Sequence, residues 1–223
     1  MGEIIQLNAK DGFQLDAYLA KPSTTAKGAV LVIQEIFGVN GHIREVCDGY
    51  AENGYVAISP AIFDRAEKGV ELGYDDEGIA RGAGLARKQL QPEQTDLDLA
   101  AAADYLGQYG DVGVVGYCFG GFLAWKCACQ LDGIKCVSGY YGGGIAGSLD
   151  LVPKVPTILH FGNLDAHIPL SDVDKVAEAH PEVAIYIYEA DHGFNCDHRA
   201  SFDKPASEFA LQRTLTFFGD HLN

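Results

Sequence analysis

The chain is short of cationic side chains. Lysine and arginine total 16 against 31 acidic residues, a formal charge of -15, and the acidic residues are spread along the chain rather than gathered in a tail. Such a field repels phosphate backbones and argues against nucleic acid as a partner. The same acidity serves solubility or a saline-adapted surface, and it makes capture of any anionic ligand depend on a few locally placed arginines. No apolar run reaches the roughly 18 residues that span a bilayer, so no membrane partner is expected. Met1 to Lys10 also lacks the apolar stretch of about 7–15 residues that a secretory signal carries, and a cytoplasmic location is expected. The six cysteines, at 47, 118, 127, 129, 136 and 196, do not form a pairing framework. Cys127-Ala128-Cys129 is too tight for the usual structural zinc pair and no second pair answers it. Free thiols in a reducing compartment follow, with no metal and no cofactor. Repeats, low-complexity tracts and convincing linkers are missing as well. The Gly142-Gly143-Gly144 run reads as a flexible loop after a strand, and residues 1–223 as a single domain.

What the chain does have is core material: 48% hydrophobic residues at a mean hydropathy of zero. Short β-branched runs alternate with helical stretches, the pattern of an α/β fold with a mostly parallel, twisted sheet and helices on both faces. The spacing predicts strands at Ala29 to Gln34, Tyr55 to Ser59, Val112 to Gly116, Cys136 to Tyr140, Thr157 to Phe161 and Ala184 to Tyr188. Helices are predicted over His42 to Asn53, part of Asp75 to Leu90, Glu93 to Gln108, Phe119 to Leu131, Leu170 to His180 and Ser207 to His221. The start differs. Asp11-Gly12 between two alternating runs signals an antiparallel hairpin, placed at the edge of the sheet.

Val112 to Gly116 runs into Gly116-Tyr117-Cys118-Phe119-Gly120-Gly121 and then a helix. A nucleophile on a sharp strand-to-helix turn needs neighbours without bulk, which glycines two before and two after it supply. The turn lifts the side chain above the sheet's carboxyl edge. There the helix N-terminus favours a thiolate, and the Phe119 amide can face an oxyanion. Cys118 is therefore the candidate nucleophile, and the other five cysteines read as small buried hydrophobes. In this α/β-hydrolase arrangement an acid and then a histidine follow on loops after later strands. Thr157 to Phe161 leads to Gly162-Asn163-Leu164-Asp165, and Ala184 to Tyr188 leads to His192. His192 would take the thiol proton, while Asp165 would fix its tautomer and support the imidazolium. His160 and His167 read as structural, and Asp191 is the rival acid.

With these residues assigned, the chain resembles the dienelactone hydrolase family, whose members open carboxymethylenebutenolide to maleylacetate. The resemblance rests on Gln34-Glu35-Ile36-Phe37-Gly38-Val39-Asn40, Gly116-Tyr117-Cys118-Phe119-Gly120-Gly121, Asp165-Ala166-His167-Ile168-Pro169 and His192-Gly193-Phe194, and it covers nearly the whole chain. It implies that Glu35 is a buried glutamate that contacts the cysteine at rest and helps ionise it when substrate binds. It also implies that the Ile36 amide is a second oxyanion donor and that Arg81 and Arg199 bind the substrate's carboxylate. The chain departs from the family pattern in two places: the second arginine comes later after the histidine, and Leu85 stands where an aromatic hydroxyl is expected. Three readings follow. The first is hydrolysis of a small carboxylate-bearing enol-lactone through an acyl-cysteine, by a monomer or weak homo-oligomer. The second is a broader esterase or thioesterase using the same three residues. The third is a catalytically inactive binding protein of this fold.

Overall fold

The computed structural model describes residues 2–222. Eight strands form one sheet in the order β1-β2-β4-β3-β5-β6-β7-β8. The strands are β1 (Glu3–Asn8), β2 (Gln14–Ala20), β3 (Ala29–Ile33), β4 (Val56–Pro60), β5 (Val112–Tyr117), β6 (Ile134–Tyr140), β7 (Thr157–Gly162) and β8 (Ala184–Tyr188). From β4 to β8 every neighbour is parallel. The β1–β2 hairpin turns at Asp11-Gly12, where Gly12 has φ +85°, and joins β4 antiparallel. It is tied down from below. Arg65 donates to Asp11 at 2.6 Å and to the fully buried Asp98 at 2.7 Å, and its guanidinium lies 4.1 Å over the Phe13 ring.

Among the described residues six α-helices cover the two faces: α1 (Gly41–Glu52), α2 (Asp76–Gly84), α3 (Pro92–Leu106), α4 (Phe119–Gln130), α5 (Leu170–Ala179) and α6 (Lys204–His221). The alternation along β3 shows how the sheet feeds both layers, since side chains point to opposite faces in turn. Val30 and Val32 join Ile43, Tyr50 and Phe218 on the α1–α6 side. Ala29, Leu31 and Ile33 join Leu99, Ala102 and Leu123 on the α3–α4 side.

Element boundaries differ from the sequence reading where local chemistry outweighs periodicity. Helix α6 begins at Lys204 rather than Ser207, because Asp203 caps it by accepting from the Ala206 amide at 2.8 Å and Pro205 is harmless in a first turn. The Asp75 to Leu90 segment splits. Asp75 caps α2, and the chain then widens into a single π turn over Leu85–Gln89. The glycine run after β6 is not uniformly loose either. A Cβ on Gly142 would meet the Gly121 carbonyl carbon at 2.8 Å, so its missing side chain lets that loop pack on α4.

Candidate active site

The strands' carboxyl ends are level. Tyr117 of β5 lies opposite Tyr140 of β6, Tyr140 opposite His160 of β7, and Gly162 of β7 opposite Tyr188 of β8. The segments that follow β3, β5, β7 and β8 therefore open on one rim, and they carry Glu35, Cys118, Asp165 and His192.

Cys118 has φ 54° and ψ -113°, a left-handed-side conformation that side chains rarely adopt. The strain is held by close packing. A Cβ on Gly116 would sit 1.9 Å from the Gly120 carbonyl oxygen, and one on Gly120 would sit 2.3 Å from that of Ile33. The glycine frame thus lets α4 start directly against the ends of β5 and β3, and the Cys118 amide is anchored on the Tyr140 carbonyl at 3.0 Å. Phe119 is the first residue of α4, so its N–H has no acceptor within the helix.

The structure brings Cys118, His192 and Asp165 together. His192 Nε2 lies 3.1 Å from Cys118 Sγ, and its Nδ1 lies 2.7 Å from Asp165 Oδ2. The other oxygen of Asp165 accepts from the amides of His167 and Ile168 at 2.7 and 3.1 Å, and the residue is buried. Burial works to raise its pKa, but the hydrogen bonds from His192 and the two amides prevail and hold it lowered. For His192, burial works against the imidazolium. The bonds to Asp165 and Cys118 outweigh it and lift the value to about 10.

Two of the rivals are engaged elsewhere. His160 is fully buried between the Tyr188 and Thr214 hydroxyls, at 2.8 and 3.2 Å. Asp191 accepts from the His192 backbone amide and not from its ring. His167 is exposed, its ring edge-on to that of His192 at 5.4 Å. All six cysteines are free thiols. Five are buried, and burial pushes Cys127, Cys136 and Cys196 up to about 12 and Cys129 to about 11. Cys118 alone is partly exposed.

Glu35 is 1% exposed, and neither carboxylate oxygen has a hydrogen-bond partner among the described residues. The resting contact with Cys118 that the resemblance implies is not made. Oε1 instead lies 3.5 Å from Arg199 Nη1, where the guanidinium charge compensates a carboxylate taken out of water. Arg199 is itself held over the Phe37 and Tyr74 rings, 5.7 Å from each centroid. Arg81 is half exposed and bonded to Glu67 at 2.5 Å. Its helix reaches the rim through Gly82, where a Cβ would meet the Ile36 carbonyl oxygen at 1.9 Å. Ile36 thus sits in the turn after β3, wedged against α2.

Two side chains near the rim were not anticipated. Tyr141, at φ 37°, is fully buried with its ring 5.1 Å from that of His192; only the turn after β6 puts it there. His42, read simply as the start of a helix, is buried beside Glu35. Burial lowers its pKa, partly opposed by the Glu35 charge. Donor atoms of Glu35, His42 and Cys196 lie within 4.8 Å of one another, as do those of His42, Glu45, Asp197 and His198.

A thiol on a strained turn beside a histidine and a buried carboxylate, set at the carboxyl rim of a mostly parallel sheet, is the arrangement of the α/β-hydrolase fold. A provisionally named dienelactone hydrolase from Klebsiella pneumoniae superposes with a TM-score of 0.81 at 28% identity over 98% of both chains. In sequence, the chain is 36% identical to a provisionally named carboxymethylenebutenolidase of Synechocystis, covering 94% of this chain and 93% of the relative. It is 33% identical to the carboxymethylenebutenolidase of a Pseudomonas species, covering 96% and 93%. The profile of the dienelactone hydrolase family matches residues 15–222. The chain belongs to the dienelactone hydrolase family, and it is a hydrolase of ester or lactone bonds. No helix among the described residues is long and apolar enough to cross a membrane.

Proposed function

We propose that this enzyme opens a small carboxylate-bearing enol-lactone of the carboxymethylenebutenolide type, releasing a maleylacetate-type acid through an acyl-cysteine. The observation that carries the reading is the continuous line from the Cys118 sulfur through His192 to Asp165, at 3.1 and 2.7 Å, on a positive-φ turn. In this mechanism His192 takes the thiol proton and the thiolate attacks the lactone carbonyl. The oxyanion is met by the amides of Phe119 and Ile36. Collapse of the intermediate breaks the C–O bond and expels the enolate, which takes the proton from His192 and remains tethered to the acyl chain. Water then gives its proton to His192, attacks the thioester and returns Cys118 as a thiol. An enol leaving group departs readily from a thiolate adduct, whereas a plain alkyl ester stalls. Glu35 is the assisting base, released when the substrate's carboxylate competes for Arg199, and Arg81 is the second cation for that carboxylate.

One observation favours a broader esterase instead: both arginines already face glutamates, Arg199 against Glu35 and Arg81 against Glu67. Turnover of dienelactone against p-nitrophenyl acetate separates the two. A kcat/KM for the lactone at least about a hundredfold higher is expected, the size of a charge-assisted contact; equal efficiency on both sinks the lactone reading. The same reading takes residues 1–223 as one catalytic domain acting in the cytoplasm as a monomer or weak homo-oligomer.

A further inference from the structure

We propose that Glu35, His42 and Cys196 form a binding site for one zinc-type divalent cation, and that occupancy withdraws Glu35 from the catalytic rim. The three come from the turn after β3, the start of α1 and the loop before α6. Each offers one ligand atom, and these atoms lie within 4.8 Å of one another. A tetrahedral zinc with bonds of about 2.0–2.3 Å places its ligands some 3.3–3.8 Å apart, so side-chain adjustments of about an ångström close the site. All three residues are buried, and among the described residues both oxygens of Glu35 and Nε2 of His42 are without a hydrogen-bond partner, while the Cys196 sulfur shares a hydrogen bond with the Tyr74 hydroxyl that metal binding would replace. Buried polar atoms of this kind are rare in folded proteins and call for an occupant.

The orientation of His42 adds an independent sign. Its Nδ1 lies 3.3 Å from the Asp197 carboxylate, which leaves Nε2 as the free nitrogen. Metal-bound histidines are oriented in this way, with the far nitrogen donating to a carboxylate. Sulfur, imidazole and carboxylate together suit zinc, cobalt or nickel, and not magnesium or calcium, which take oxygen. A groove of about 250 Å³ lined by His42, Glu45, Tyr50 and Asp197 borders the imidazole on its Asp197 side; Glu35 and Cys196 do not line it, so a cation enters only as these side chains move. Arg199, 3.5 Å from Glu35, opposes the incoming charge. The cation binds as Cys196 loses its thiol proton to solvent, so the carboxylate, thiolate, guanidinium and dication together carry a single positive charge.

Co²⁺ titration of the Cys118→Ser protein tests the site without reference to catalysis and with the reactive thiol removed as a ligand. The expected result is a near-ultraviolet thiolate-to-cobalt band saturating at one equivalent per chain. It should be lost when Cys196→Ser is added, and shifted to at least about tenfold higher Co²⁺ by His42→Gln, a change that keeps the side chain polar if the serine variant fails to fold. Absence of the band, its persistence without Cys196, or an affinity indifferent to His42→Gln overturns the proposal. In the enzyme with Cys118 intact, Zn²⁺ inhibition should require at least about tenfold more metal after His42→Gln. Equal inhibition would show that the cation acts elsewhere.

Discussion

Gly82 faces the Ile36 carbonyl so closely that one added methyl group tests the proposed oxyanion role of the Ile36 amide. A Cβ there would lie 1.9 Å from the Ile36 oxygen and 2.9 Å from its carbon, where ordinary contact is about 3.4 Å or more. Helix α2 and the turn must part by about 1.5 Å. A hydrogen bond from the Ile36 amide at about 2.9 Å does not survive that displacement. Loss of one oxyanion donor costs roughly 10²–10³ in kcat, about 3–4 kcal/mol of transition-state stabilisation. Overpacking of this kind costs about 1–3 kcal/mol, and helix propensity offsets part of it, since alanine is favoured over glycine by about 1 kcal/mol within a helix, so a net loss of up to about 2 kcal/mol in folding stability is expected. Gly84 is the control. It closes the same helix with φ -63° and ψ -46°, and nothing lies within 4 Å of its Cβ position. Gly82→Ala and Gly84→Ala would be compared with the parent by kcat on an activated ester and by urea unfolding. The expected pattern is a hundredfold or greater fall in kcat for Gly82→Ala alone. If its kcat stays within about threefold of the parent, Ile36 is not an oxyanion donor.

Other outcomes follow from the same geometry. Cys118→Ser should fold normally and lose on the order of 10²-fold or more in kcat, because serine lacks the acidity this base can exploit; full activity would end the thiolate mechanism. Arg81→Ala should raise KM about ten- to a hundredfold for a carboxylated substrate and leave neutral esters unchanged, and equal losses on both would remove Arg81 from the substrate site. Asp98→Ala leaves the Arg65 guanidinium, 6% exposed, without its fully buried partner but still bonded to Asp11, so urea unfolding should show a loss of about 1.5–3 kcal/mol, the size of a charge-assisted hydrogen bond, with kcat nearly unaffected. The pH dependence of stability has a definite sign. His192 is lifted to about 10 against about 6.5 unfolded, so its contribution is complete below pH 6.5 and disappears as pH rises toward 10. The limiting slope is about 1.4 kcal/mol per pH unit. Asp165, held lowered, contributes above about pH 4 and is lost as pH falls through its folded value. Urea midpoints between pH 6.5 and 10 should therefore decline more steeply in the parent than in His192→Gln; parallel curves would refute the assignment.

Sequence alone determined what depends on local steric and periodic rules. Glycines around Cys118 announce a turn that larger residues cannot make, and the structure shows why: Gly116 and Gly120 lie against backbone atoms. The order of strands, with Asp165 and His192 just past two of them, follows from hydrophobic runs that any parallel sheet requires. Tertiary structure decided the rest, because charge pairing and burial join residues far apart in the chain. Arg199 comes to Glu35 across 164 positions, and no spacing rule connects the turn after β3 with the loop before α6. The same folding turns His42 from an unremarked helix residue into a buried neighbour of Glu35 and Cys196, and seats Tyr141 beside His192. A buried charge takes its partner from whatever the folded chain brings near, so the sequence could nominate Cys118, Asp165 and His192, while only the fold could say what Glu35 faces.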